Sequence, residues 1–172
     1  MTILIGYSSC DGQARKIAQS IAKEQSEEVE LRDLSQTEQW PNPSDFSKVL
    51  IGASIRYGKF RPAVHQYVEH FAKELAARPN AFFGVCLTAR KPGKDDPQVN
   101  VYMRKFVKIH QWQPQCKAMF AGALRYSLYN WWQTRIIQLI MKITGGSTDT
   151  SRDIEFTDWN KVADFAQLFR KL

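Results

Sequence analysis

The sequence predicts an α/β protein built on a doubly wound, five-stranded parallel sheet. Strand-like and helix-like segments alternate along the whole chain of 172 residues, which is the pattern of repeated β-α units. The run 49–53 (Val-Leu-Ile-Gly-Ala) is apolar throughout, as expected of a central strand whose two faces are both covered by helices. The length suits one domain, so residues 1–172 are interpreted as a single unit.

The predicted strands are short apolar runs bounded by turn residues. Residues 3–7 form the first, and Val29 and Leu31 alternate with charges as in a half-exposed edge strand. Further strands are predicted at 49–53, 82–87 and 119–124, with a short strand fragment at 154–156. The last strand is therefore interrupted between Leu124 and Ile154 by roughly thirty residues, a long connection for a compact domain.

The predicted helices place apolar residues at the three- and four-residue spacing that buries one face. These residues are Ala14, Ile17, Ala18, Ile21 and Ala22; Val64, Val68, Phe71, Ala72 and Leu75; Val99, Tyr102, Met103, Phe106 and Val107; and Trp159, Val162, Ala163 and Ala166. The last helix is expected to begin near Thr157 and Asp158, because their side-chain oxygens accept hydrogen bonds from the free N–H groups of a first turn.

Charge is distributed unevenly along the chain. Residues 1–55 contain 5 Lys or Arg and 8 Asp or Glu, whereas residues 56–142 contain 15 Lys or Arg and 4 Asp or Glu. This bias favours an anionic partner, such as an anionic membrane surface or a carboxylate-bearing substrate. No nucleic-acid partner is expected, because the Lys and Arg residues are not concentrated in one recognition helix. The three cysteines form no CxxC pair, so we expect reduced thiols and no metal site.

Three loops leave the carboxyl ends of predicted strands and should meet at one edge of the sheet. The first contains hydroxyls and a glycine before a helix, an arrangement that binds phosphate through backbone N–H groups. The second places Tyr57 beside Gly58, where the ring could stack on a flavin. The candidate cofactor-binding residues are Ser8, Ser9, Cys10, Asp11, Gly12, Gln13, Ser54, Ile55, Arg56, Tyr57, Gly58, Thr88, Ala89 and Arg90. Together these loops favour flavin mononucleotide (FMN).

Several runs in the chain resemble the FMN-containing, menaquinone-dependent protoporphyrinogen oxidases of bacteria, which are flavodoxin-like. The resemblance is carried by Ser8 with 11–13, by 51–58, 89–92, 121–126 and 139–142, and by 145–146 with 148–150. It implies a flavodoxin-like sheet of strand order 2-1-3-4-5 with an insertion in the last strand. The ordinary flavodoxin phosphate loop reads hydroxyl-x-Thr-Gly-x-Thr, and this chain departs from it at Cys10, Asp11, Gly12 and Ala14.

The resemblance also implies an activity and its partners. It implies FMN-dependent oxidation of protoporphyrinogen IX to protoporphyrin IX in haem biosynthesis, with menaquinone or ubiquinone as the electron acceptor. Such chemistry belongs to the flavin, so no side chain is expected to act as an indispensable acid or base. The three histidines and Cys10 are interpreted as structural or exposed. Because the quinone is dissolved in a membrane, we expect a peripheral location on the cytoplasmic side of the inner (plasma) membrane.

The insertion, residues 125–153, is interpreted as a lid or membrane-docking segment. Read as a helix, 131–143 places Trp132, Ile136, Leu139, Ile140 and Ile143 on one wide apolar face. That pattern suits a helix lying in a membrane interface. The same face would equally suit packing on the core or a homo-oligomer. Seven residues are candidates for contact with substrate or membrane: Arg61, Lys91, Arg125, Tyr126, Trp131, Trp132 and Arg135.

Two alternatives to the oxidase remain open at this stage. A soluble electron-carrier flavodoxin has a similar fold but is typically acidic, which the basic stretch 56–142 opposes. A flavin-free module of the same fold, binding an anionic surface, would fit both the basic surface and the irregular first loop.

Overall fold

The computed structural model describes residues 2–36, 38 and 40–172. In chain order its strands and helices are β1 (Ile3–Ser8), α1 (Gln13–Lys23), β2 (Val29–Asp33), β3 (Val49–Arg56), β4 (Lys59–Phe60), α2 (Pro62–His70), α3 (Ala72–Ala76), β5 (Asn80–Cys86), α4 (Val101–His110), β6 (Cys116–Ala121), β7 (Ala123–Leu124), α5 (Trp131–Thr144), β8 (Ile154–Glu155) and α6 (Trp159–Arg170). Short 3₁₀ turns lie at Pro43–Asp45, Leu87–Arg90 and Tyr126–Leu128.

The main sheet confirms the predicted architecture. Five parallel strands lie in the order β2-β1-β3-β5-β6, which is the 2-1-3-4-5 order of a doubly wound fold. The short strand β4 folds back antiparallel on the end of β3. With β1 beside both β2 and β3, the order reverses at β1, so the loop that follows β1 opens at the switch point.

Two apolar layers cover the sheet. Helices α1 and α6 bury residues such as Ile17 and Phe165 against one face. Helices α2 and α4 bury residues such as Val64 and Phe106 against the other. All six residues of β1 and all seven of β5 are buried, which explains why these strands are apolar on both faces. The layers fix the carboxyl ends of β1, β3 and β5 at one edge of the molecule.

The structure corrects three boundaries of the sequence analysis. The helix predicted through 64–75 is broken at Phe71, whose φ of −110° and ψ of 27° separate α2 from α3. The strand predicted at 82–87 ends at Cys86, and Leu87 begins a 3₁₀ turn. The strand predicted at 119–124 is interrupted at Gly122, and its second part, β7, leaves the main sheet.

The return of the chain after the insertion also differs from the expectation. The fragment at 154–156 was expected as a resumption of the last strand, but β8 pairs antiparallel with β7 in a separate two-stranded sheet. The Phe156 N–H donates to the carbonyl of Gly122 at 3.0 Å, which closes the base of the insertion. The insertion therefore leaves and re-enters the domain at one point beside the carboxyl end of β6.

Candidate functional site

The loop between β1 and α1 has the features of an anion site. Gly12 caps α1 with a φ of 83°, a left-handed conformation that glycine adopts without strain. The hydroxyls of Ser8 and Ser9 are buried, and neither has a hydrogen-bond partner in the described chain. The first-turn N–H groups of a helix also lack partners within the helix. These unpaired donors and the positive end of the helix suit a phosphate group.

Neighbouring segments hold this loop in place. The Cys10 N–H donates to the Ser54 hydroxyl oxygen at 2.9 Å, and that hydroxyl donates to the Ser8 carbonyl at 3.4 Å. Arg61 donates from Nη1 to the Ser9 carbonyl at 2.8 Å. Ser54, predicted to bind cofactor, therefore shapes the loop from the end of β3. Arg61, predicted to meet substrate or membrane, is directed at the loop backbone.

Asp11 joins the loop to two other parts of the site. Its carboxylate accepts a hydrogen bond from Arg56 Nη1 at 2.9 Å and another from the Tyr129 hydroxyl at 2.9 Å. Burial opposes the charge of the guanidinium, but Asp11 and nearby phenols outweigh it and raise the pKa of Arg56. Burial, opposed by the Arg125 amide and reinforced by Asp11, raises the pKa of Tyr129 to about 12. Arg56 stays cationic and Tyr129 stays a neutral donor across physiological pH.

The second loop is a tight hairpin turn between β3 and β4. Tyr57 and Gly58 have φ values of 50° and 74°, which are the two left-handed positions of a type I′ turn. The turn leaves the Tyr57 ring 56% exposed at the mouth of the site. The Arg56 guanidinium carbon lies 5.7 Å from the centre of that ring. The position suits an aromatic side chain that flanks a planar ligand.

The third loop is the 3₁₀ turn Leu87–Arg90. Thr88 Oγ1 lies 3.2 Å from Cys86 Sγ, and Ala89 is buried. Arg90 donates to the Leu87 carbonyl at 2.7 Å and to Thr144 Oγ1 at 3.1 Å. Arg90 is predicted to bind cofactor, and the structure places it as a brace between this turn and the end of α5. Lys91 follows the turn, half-buried.

The three loops surround one cavity of about 280 Å³. Of the predicted cofactor-binding residues, the cavity is lined by Cys10, Asp11, Gln13, Ser54, Ile55, Arg56, Tyr57, Gly58 and Thr88. Ser8, Ser9, Gly12, Ala89 and Arg90, which were also predicted to bind cofactor, are not part of this lining. The lining also includes residues that the sequence analysis did not assign to the site: Val85, Cys86, Leu87, Tyr102, Gly122, Ala123, Tyr129, Ile137 and Ile140. Tyr102 follows the helical spacing of a core face, and Ile137 falls outside the apolar face predicted for 131–143, so sequence periodicity assigns neither of them to the site.

The insertion forms one wall of the cavity. Asn130 begins α5 with a capping box in which its side chain accepts from the Gln133 N–H. Ile137 and Met141 pack on Leu124 and Tyr126, forming a small separate core. Tyr126, a candidate for substrate contact, is buried within this core, and burial raises the pKa of its hydroxyl.

The outer face of α5 is apolar and exposed. Trp131 is 80% exposed, Leu139 58% and Ile143 76%, while Trp132, Ile136 and Ile140 are also exposed. Arg135 is exposed on the same helix. Ile137 and Met141 of this helix are buried in the domain and Ile140 borders the cavity, whereas the rest of the wide apolar face predicted from the sequence is open to solvent.

Arg125 ties the base of the insertion to the first loop. Its Nη2 donates to Gln13 Oε1 at 3.2 Å, and it lies 3.6 Å from Glu155 and 4.0 Å from Asp153. Gln13 in turn donates to Thr157 Oγ1 at 2.7 Å. Arg125 was predicted to meet substrate or membrane, and here it connects α1 to both ends of the insertion.

Metal chemistry and membrane crossing find no support in the described residues. Across 2–36, 38 and 40–172, no group of three or more His, Cys, Asp or Glu is placed to hold a metal ion. Within the same residues, no helix has both the length and the hydropathy needed to cross a membrane.

A doubly wound sheet of strand order 2-1-3-4-5, with a candidate anion-binding loop at its switch point, is the architecture of the flavodoxin-like class of proteins. The sequence matches the Flavodoxin domain family over residues 4–151. It is 44% identical to protoporphyrinogen IX dehydrogenase (quinone) of Escherichia coli K12, over 97% of this chain and 93% of that protein. It is likewise 44% identical to the protein of the same name from Leishmania major, over 98% of this chain and 74% of that one.

Comparison with solved structures also indicates a flavodoxin-like fold. The structure superposes on oxidised flavodoxin 1 from Bacillus cereus with a TM-score of 0.54, at 15% identity, covering 99% of this chain and 98% of the other. The chain belongs to the flavodoxin-domain family, and within it to the group of the quinone-dependent protoporphyrinogen IX dehydrogenases.

Proposed function

We propose that this protein binds FMN and oxidises protoporphyrinogen IX to protoporphyrin IX, with a membrane quinone as the electron acceptor. The observation that carries the proposal is the set of buried, unpartnered donors at the first loop: the hydroxyls of Ser8 and Ser9 and Nη2 of Arg56. Buried polar groups are normally hydrogen-bonded, so donors that have no partner in the described chain and belong to the loop bordering the cavity point to a ligand that supplies acceptors. The proposal extends to this chain the activity for which its 44% identical relatives are named.

The residues present fit FMN at each end. The phosphate would receive hydrogen bonds from Ser8, Ser9 and the first-turn N–H groups of α1, where the helix dipole favours an anion. The ring would lie against Tyr57 and the 3₁₀ turn that contains Thr88, both of which line the cavity. When bound, the flavin supplies the redox chemistry, accepting reducing equivalents from the porphyrinogen and transferring them to the quinone.

The chain itself supplies binding, orientation and exclusion of water. Val85, Leu87, Ile137 and Ile140 give the cavity apolar walls, which would exclude water from the ring of the flavin. Ile137 and Ile140 come from the insertion, so the insertion completes the wall facing the phosphate loop. The hydrogen bond from Tyr129 to Asp11 holds the insertion in that position.

The decisive experiment combines cofactor identification with a coupled assay. An absorbance spectrum of the purified protein, followed by release and chromatography of the chromophore, should identify FMN. Protoporphyrin fluorescence should then increase when protoporphyrinogen IX is supplied under anaerobic conditions, and only when a quinone is present. Protein that remains colourless after reconstitution with FMN would overturn the proposal. FMN-loaded protein that exchanges electrons with protein redox partners alone would identify an electron-carrier flavodoxin instead.

The same proposal places the protein at the cytoplasmic surface of the inner membrane, docked through α5. The exposed apolar face of α5, with Trp131 80% and Ile143 76% exposed, supports this location. Arg135 and Lys142 are exposed on the same helix and would lie near anionic headgroups. Two of the three cavity-wall residues of the insertion, Ile137 and Ile140, lie on α5, so docking would bring the cavity close to dissolved quinone.

Vesicle binding separates membrane docking from self-association. The full-length protein should co-sediment with vesicles containing phosphatidylglycerol and bind phosphatidylcholine vesicles less tightly. The L139Q/I143Q variant should lose at least about tenfold in vesicle affinity, because two exposed apolar side chains leave the interface. L168Q, which changes a leucine of α6 that is 53% exposed, is the matched control and should bind normally. A dimer that dissociates in L139Q/I143Q, with no vesicle binding by the wild type, would favour a homo-oligomer.

A further inference from the structure

A second cavity of about 440 Å³ lies between α2 and α4, beside the hairpin turn. Its apolar walls come from Phe60, Pro62, Phe106 and Ile109. Phe106 is almost fully buried, and its ring packs on Phe60 with centroids 5.0 Å apart, so the floor of the cavity is a rigid aromatic surface. Such a surface accommodates a flat apolar molecule.

The two cavities meet at the hairpin turn. Gly58 and Tyr102 line both of them. A Cβ atom at Gly58 would lie 3.7 Å from Cε1 of Tyr102, so even an alanine at this position would be in van der Waals contact across the junction. Asn100 fixes Tyr102 at the start of α4 by accepting from its N–H at 3.0 Å. The two cavities therefore adjoin at Gly58 and Tyr102, and a ligand in the second would lie next to one in the first.

The rim of the second cavity is cationic. Lys59 from β4 and Lys105 from α4 line it, both exposed. In the described part of the chain neither ammonium group has a carboxylate within 4.0 Å, whereas Lys16 and Lys161 are paired with acids. His65 also lines the cavity, but its Nδ1 lies 2.8 Å from Nε2 of His110. The two lysines are therefore the charges available to an incoming anion.

We propose that this second cavity binds the carboxylate-bearing edge of the tetrapyrrole substrate, with Lys59 and Lys105 each pairing with one propionate. This inference rests on the proposed function for the substrate, and it adds the residues that orient it. An aromatic floor with two free ammonium groups at its rim complements an apolar tetrapyrrole that carries two carboxylates on one edge, and the flat oxidised product fits the same surface. A quinone has no carboxylate, so it would gain nothing from the two lysines.

The test compares the K59Q/K105Q variant with wild type in the FMN-loaded protein, using protoporphyrinogen IX and its dimethyl ester. For the free acid, KM should rise about tenfold in the double variant with kcat nearly unchanged, because two partly solvated ion pairs are lost equally from the ground and transition states. For the ester, KM should be the same in both proteins, as should KM for the quinone. K108Q, an exposed lysine of α4 outside the cavity lining, is the matched control and should behave as wild type.

A binding measurement makes the result independent of turnover. Fluorescence titration of protoporphyrin IX should show a Kd about tenfold higher for K59Q/K105Q, with no difference for the porphyrin dimethyl ester. The proposed subsite would be overturned if K59Q/K105Q had the wild-type KM and Kd for the free acid. It would also be overturned if the double variant lost as much affinity for the dimethyl ester as for the free acid. If wild type binds porphyrin but does not oxidise porphyrinogen, the proposed activity fails and the titration still decides the subsite. If wild type neither binds nor oxidises, both proposals fail.

Discussion

At the scale of single residues, Arg56 connects the parts of the site. Its guanidinium donates to Asp11 at 2.9 Å and lies 5.1 Å from the ring of Tyr129, which belongs to the insertion. Its second terminal nitrogen is buried without a partner. Asp11 places a negative charge in a loop suited to phosphate, and Arg56 neutralises that charge. Without Arg56, the carboxylate would repel a phosphate.

We therefore expect R56Q to weaken FMN binding by about 30-fold, since a charge-assisted hydrogen bond of about 2 kcal/mol is lost and Asp11 is left uncompensated. Quenching of flavin fluorescence measures the Kd directly. R32Q is the control, because Arg32 is exposed on the edge strand and paired with Glu30 at 2.6 Å. Equal affinities for wild type and R56Q would show that Arg56 does not contribute to the cofactor site.

At the scale of elements, the strands of the sheet could be predicted from the sequence, whereas the contacts of the insertion could be predicted only in part. Strands such as β5 are buried along their whole length, so their apolar composition is visible locally. The contact between Tyr129 and Asp11 joins positions 118 residues apart, and nothing in the local pattern around either residue signals it. The break at Gly122 and the antiparallel return of β8 are likewise set by packing between distant segments.

The glycines of the central strands show how composition sets packing. A Cβ atom at Gly52 of β3 would lie 2.1 Å from Cζ of Phe83, its register partner on β5. We expect G52A to lower the free energy of unfolding by about 2–3 kcal/mol, because the buried ring has to move. Urea denaturation measures the change. The G52A/F83L double variant should recover part of the loss, and additive effects of the two substitutions would contradict the proposed clash.

The insertion should be needed for oxidation of the substrate and not for binding of the flavin phosphate. Replacing residues 131–144 with Gly/Ser residues of equal number removes α5 but keeps Tyr129 beside Asp11. We expect porphyrinogen oxidation to fall at least about 100-fold, because the apolar wall from Ile137 and Ile140 is lost and positioning is sensitive to such losses. The Kd for FMN should change by less than about tenfold, since the phosphate donors remain. Retained turnover would exclude α5 from the substrate site.

At the scale of the whole molecule, charge and function are on the same part of the chain. Residues 56–142 contain 15 Lys or Arg and 4 Asp or Glu, and they include the cationic rim of the second cavity and α5. Residues 1–55, which form β1, α1, β2 and most of β3, contain 5 Lys or Arg and 8 Asp or Glu. This asymmetry would steer an anionic substrate and an anionic surface to the same side, with an effect that weakens as salt screens it.

The histidine pair between α2 and α4 makes the stability of the whole domain depend on pH. Burial lowers the pKa of both rings and outweighs the negative charge of Glu69, which raises it; a second group lowers the pKa further, Lys105 for His65 and His65 itself for His110. The unfolded chain, with His pKa values near 6.5, therefore binds more protons than the native protein as pH falls below about 6.5. Stability should be fully present above that pH and fall below it, until the native rings also protonate.

We expect the free energy of unfolding to decrease between pH 7 and pH 5 by no more than about 1 kcal/mol from this pair, since both rings are half-buried and partly screened. This window lies above the ordinary range of carboxylates, so acidic groups contribute little to the slope. Urea denaturation at each pH should show a flatter profile for H65Q/H110Q, whatever its stability at pH 7. H70Q, which changes an exposed histidine at the end of α2, is the control and should keep the wild-type slope. An equally steep profile in H65Q/H110Q would place the pH dependence elsewhere in the domain.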